Sequence, residues 1–101
     1  MPALIVSYGY PTDPAAFDAY YTSTHKELAD LIPGVVRWRA GHCASLDDSR
    51  PEHYQVAILE FETMESLQAG LGSPQGQAAV ADISNFASGG ASTTVLDDLI
   101  R

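Results

Sequence analysis

At 101 residues and 46% hydrophobic content, the chain is long enough for one domain with a real core, and residues 1–101 read as a single unit. Thirteen acids against five bases leave a formal net charge of −8, which argues against nucleic acid and anionic membranes as partners, since both need a cationic face. The one cysteine, Cys43, can form no internal disulfide, so a reducing, cytoplasmic location is expected. No apolar run approaches the roughly 20 residues of a membrane helix. The opening MPALIVSYGY lacks a basic segment and reads as a strand, not a signal peptide.

Ala3 to Tyr8 is the first predicted strand. Leu4, Val6 and Tyr8 share one face, and Ala3, Ile5 and Ser7 the other. Both sets are largely apolar, so cover on both sides is expected. Asp13 to Ile32 follows as a helix, with Asp13 as N-cap, Pro14 in the first turn and Pro33-Gly34 as the stop. Its apolar sector holds Phe17, Tyr20, Tyr21, Thr24, Leu28, Leu31 and Ile32, with His25 at the edge one turn after Tyr21. A titratable ring there either bonds a backbone carbonyl in the core or lines a cavity.

Val35 to Ala44 is the second strand, with Trp38, Ala40 and His42 on one face and Arg37, Arg39 and Cys43 on the other. The two arginines either pair with acids such as Glu60 or Asp97, or form an anion site. A polar loop spans Ser45 to Glu52, and the third strand runs from His53 to Phe61. Thr63 caps a short helix over Met64 to Leu71. Gly72-Ser73-Pro74 breaks it and starts another over Gln75 to Ile83, and Ser92 to Leu99 closes the chain as a strand. The order is α+β, βαββαβ, the ferredoxin-like pattern of a four-stranded antiparallel sheet with helices on one face. The other face, to which Leu4, Val6, Tyr8, Val35, Val56 and Ile58 are assigned, is too apolar for solvent and predicts a homodimer.

The helix segment FDAYYTSTHKEL, through Phe17, Tyr20, Tyr21 and His25, resembles the aromatic-histidine run of the EthD family. ILEFETMESLQAGLGSPQGQAAVADISNF is similar to that family's second half. The resemblance implies a dimeric α+β barrel and an association with bacterial catabolic gene sets. The wider superfamily contains isomerases, polyketide cyclases and cofactor-free monooxygenases, several with a pocket between the sheet and the first helix. It therefore implies a pocket-lining place for His25. One feature departs from the cyclases: where they carry a histidine after a His-Pro-Ala stretch, this chain has Ser73-Pro74-Gln75-Gly76.

In the cyclase register, Ile5, Ser7, Tyr21, His25, Trp38, His42, Gln55, Leu59 and Phe61 would wall an apolar chamber for a small hydrophobic ligand. His25 is the candidate acid–base catalyst, because an imidazole titrates near neutral pH. Ser7, Tyr21, Trp38, His42, Gln55 and Phe61 are candidate substrate contacts, with Tyr21 or Gln55 placed to steady a developing enolate. His42 also reads as a surface residue, and Trp38 as a packing wall. The three histidines and Cys43 have no metal-site spacing, and there is no phosphate or dinucleotide loop, so neither a metal nor another cofactor is expected. Three functions fit: a cofactor-independent lyase, isomerase or cyclase on a carbonyl compound; a non-catalytic binding protein of a degradative pathway; and a cofactor-free oxygenase on a phenol.

Overall fold

Asp13 starts the first helix as predicted. Its carboxylate accepts the Ala16 N–H at 3.1 Å, and Pro14 occupies the first turn. The computed structural model describes residues 1–100. Its strands are β1 (Ala3–Tyr8), β2 (Val35–His42), β3 (Gln55–Phe61) and β4 (Ala91–Leu96), all antiparallel in the order β2-β3-β1-β4. Helices α1 (Pro14–Tyr20) and α2 (Lys26–Asp30) lie between β1 and β2, and α3 (Met64–Gly72) and α4 (Pro74–Asp82) between β3 and β4. The helices pack on one sheet face, which makes the fold α+β and ferredoxin-like.

Thr63 and Ser66 form a reciprocal capping box at α3. Ser73 then caps α4 by accepting the Gly76 N–H, with Pro74 just inside. Three strands are shorter than expected: β2 stops at His42, β3 starts only at Gln55, and β4 stops at Leu96.

Two expectations fail for local reasons. The helix from Asp13 to Ile32 is not uniform: Tyr21–His25 is a π turn, closed by the Lys26 N–H bonding to the Tyr21 carbonyl five residues back. The hydroxyls of Thr22 and Ser23 donate to the carbonyls of Asp18 and Ala19 at 2.8 and 2.7 Å, competing for the acceptors an α-helix would use. The extra residue shifts the buried stripe. Thr24 and Leu31, expected on it, are exposed, and Ala29 takes a core place.

The second correction concerns β1. Leu4, Val6 and Tyr8 lie under the helices, packed with Phe17, Tyr21, Ala57, Leu59, Phe61, Leu67 and Phe86. They are not on the open face, and Val35 also packs against this core, next to a bulge in β2. Both sets of β1 are apolar, so alternation alone could not say which faces inward, and the wrong choice moves every side chain. The open face instead carries Ile5, Ser7, Val56 and Ile58, with Leu96 half-exposed at its edge. Arg37 and Arg39 also lie there by register, and Arg37 Nε donates to Glu60 Oε2 at 2.6 Å.

Candidate functional site

The π turn buries Tyr21 and His25 together, their ring centroids 5.0 Å apart, against Phe86 at 4.8 Å from the imidazole. From the end of α4, Asp82 meets His25 Nδ1 at 2.9 Å, and both side chains are 7% exposed. Asp82 also accepts the Tyr20 hydroxyl at 2.6 Å and the Asn85 amide at 2.9 Å. Burial pushes the Asp82 carboxyl up, but these bonds from Tyr20, Asn85 and His25 outweigh it and hold the group below the ordinary carboxylate range. An ionised Asp82 can only accept, so Nδ1 carries the hydrogen and Nε2 is left as the basic nitrogen. Burial pushes the neighbouring Tyr21 phenol up to about 12, so it remains a neutral donor at physiological pH.

A cavity of about 710 Å³ runs between the first helical segment and β2, within the size range of small-molecule sites. Tyr21, Trp38, His42 and Gln55 line it, together with Asp18, Thr22, Lys26 and Asp30. His25 does not line this groove. It borders a second cavity of about 30 Å³, beside Tyr8, Ala57 and Leu59, and Tyr21 and Trp38 are walls common to both spaces.

Two expected contacts are elsewhere. Ser7 points to the open sheet face, as does Ile5, because the other set of β1 turned inward. Phe61 shares the helix-facing side but is fully enclosed in the core, at 0% exposure, where it packs rather than lines the groove.

Three acids of the site, Asp82, Asp18 and Asp30, and the Tyr54 hydroxyl are not among the sequence candidates. Asp82 stands in the sequence within the family-like stretch, three residues after core Ala79, and an acid on a packing face needs a partner. Asp18 receives His42 Nε2 at 2.9 Å and the Tyr54 hydroxyl at 2.8 Å, both on Oδ1. Burial and the Asp18 carboxylate push the Tyr54 phenol up to about 12. At the other end of the groove, Asp30 accepts from Lys26 at 2.6 Å and from Trp38 Nε1 at 2.9 Å. Among the described residues no group of three or more His, Cys, Asp or Glu side chains could hold a metal ion, and no helix is long and apolar enough to cross a membrane.

Comparison with known proteins agrees with this architecture. A protein of Rhodococcus erythropolis, described as an uncharacterized 11.0 kDa protein in the thcB-thcC intergenic region, is 45% identical over 93 residues, covering 92% of this chain and 90% of its own. The crystal structure of an ethyl tert-butyl ether d (EthD) family protein from Bacillus halodurans superposes with a TM-score of 0.90 at 26% identity, covering 98% of this chain and 99% of that one. SnoaB, a cofactor-independent oxygenase from Streptomyces nogalater, shares the fold at a TM-score of 0.67 and 15% identity, covering 99% and 94%. The EthD domain model matches residues 10–90, and with that match the chain belongs to the EthD family.

Proposed function

We propose that the chain is a cofactor-independent acid–base enzyme, a lyase, isomerase or cyclase acting on a small hydrophobic carbonyl compound. The observation that carries this reading is the buried pair of Asp82 and His25, with Nε2 left basic. Catalytic imidazoles are commonly oriented in this way by a carboxylate. In the proposed step, His25, acting through one water, takes a proton from the carbon next to the substrate carbonyl. The C–H electron pair forms the enolate C=C bond as the carbonyl π pair moves to oxygen, and Asp82 stabilises the imidazolium. Gln55 donates to the developing oxyanion. The small cavity at His25 has room for one water, which would carry the proton between Nε2 and a ligand in the groove behind Tyr21 and Trp38.

The test is turnover of a carbonyl substrate by purified variants. His25→Gln is expected to lower kcat by about 10²- to 10⁴-fold, the usual span for general acid–base catalysis. Asp82→Asn should lower it too, by presenting the wrong tautomer. Full activity in His25→Gln would overturn the proposal.

A second reading is a binding protein without turnover, favoured by the placement of His25 outside the larger groove. It predicts saturable binding of an apolar metabolite and no product. We also propose that the working form is a homodimer. Ile5, Val56 and Ile58 form an apolar strip on a sheet face that no helix covers, and a second copy laid face to face would bury it.

A further inference from the structure

We propose that the groove takes a neutral hydroxylated carbonyl compound, whose carbonyl accepts from Gln55 and whose hydroxyl donates to Asp18. This rests on the preceding reading in placing a carbonyl ligand in the groove with its oxygen at Gln55. Gln55 is 5% exposed, and its Nε2 is the buried side-chain nitrogen that lacks a hydrogen-bond partner among the described residues. Leaving such a donor unmatched costs roughly 1–3 kcal/mol, so it points to an acceptor supplied from outside the chain. Nε2 is enclosed where it stands, and a half-turn about the soft last side-chain torsion exchanges it with Oε1 and presents it to the groove that Gln55 lines.

The matching acceptor is Asp18. Its Oδ1 is occupied twice, by His42 and Tyr54, which pins the carboxylate. Oδ2 has no partner among the described residues. Asp18 is partly exposed, so Oδ2 faces solvent and is open to a ligand donor; His42 is the cross-strand neighbour of Gln55, so the buried donor and this open acceptor stand at adjacent stations of the groove. Tyr21, Trp38 and Ala40 supply apolar walls beside them. On the helix side of the groove Lys26 is already paired with Asp30, and Asp18 stands beside them, which disfavours an anionic ligand. A molecule with an apolar body, one carbonyl and one hydroxyl satisfies every term.

Trp38 is the chain's one tryptophan and lines the groove, so its fluorescence reports occupancy in the full-length protein. Three probes are titrated: a hydroxytetralone, the parent tetralone without the hydroxyl, and the corresponding tetrahydronaphthol without the ketone. The hydroxytetralone should bind about tenfold more tightly than either, one good polar contact's worth in each case. Asp18→Ala should erase the gain from the hydroxyl and spare that from the ketone. Gln55→Leu should do the reverse, and it keeps its fold because it removes the unmatched donor. Equal binding of the three probes, no binding below about 1 mM, or gains that survive in both variants would each overturn the proposal. The same titration on His25→Gln separates the two claims. A variant with full turnover and an intact hydroxytetralone preference sinks only the catalytic role. A dead variant of a protein that shows no preference sinks only the ligand class.

Discussion

Asp82 is the most heavily committed side chain among the described residues, accepting from a histidine, a tyrosine and an asparagine while nearly enclosed. Truncating it strands the buried His25 Nδ1 donor, while Tyr20 and Asn85 are open enough to turn to water. Asp82→Ala is therefore expected to cost roughly 3–5 kcal/mol in denaturant unfolding, the scale for breaking a buried charged pair. Its pH signature has a definite sign. A carboxyl held below its unfolded value stabilises the native state fully above about pH 4, the unfolded carboxylate range, and that stabilisation is lost as pH falls through the lower native value. Asp82→Asn should flatten this acid limb in a pH series of unfolding curves. None of it was legible locally. His25 could be singled out from its position on a helix, but its partner lies 57 residues away, and single-sequence periodicity carries no information on that pairing.

Among the elements, the helix starts were legible because capping is local chemistry: Asp13, Thr63 and Ser73 each bond a backbone N–H within three residues. The inward face of β1 was not, since Leu4-Val6-Tyr8 and Ile5-Ser7 compete on nearly equal terms until the helices choose. That choice removed Ser7 from the candidate site, while Gln55 stays in it because it shares the inward face of β3 with Ala57, Leu59 and Phe61. The join between α3 and the end of the first helical segment has little room. A β-carbon on Gly70 would meet the Pro33 carbonyl oxygen and the Phe61 ring. Gly70→Ala should cost about 1–3 kcal/mol as overpacking, read from the shift in the denaturation midpoint. The cost reflects packing alone, since helical alanine is otherwise preferred.

For the whole molecule, one sheet face is fully used by helices and the other is not. Ile58 lies on the open face, paired in register with Ile5 and with Arg39. Ile58→Asp would place a charge in the strip proposed to be buried between two copies. It should convert a dimer to a monomer in sedimentation equilibrium while leaving helical content unchanged. A wild-type monomer at micromolar concentration would count against the assembly. The topology needed no such help from tertiary information: the succession of strand and helix signals specified a split βαβ arrangement, and only the depth of each strand and the side it presents were decided by packing.

The π turn also changes what shortening the chain would do. Deleting one residue from an ordinary helix rotates all that follows by about 100°, which would pull Ala29 from the core. Here the five-residue closure between Tyr21 and Lys26 already holds one residue in excess. Loss of an exposed residue such as Ser23 would regularise the turn and leave Phe17 and Ala29 in phase. The long helix thus carries a spare residue at the position where it presents its histidine, and geometry there can be altered by length without the fold being re-specified.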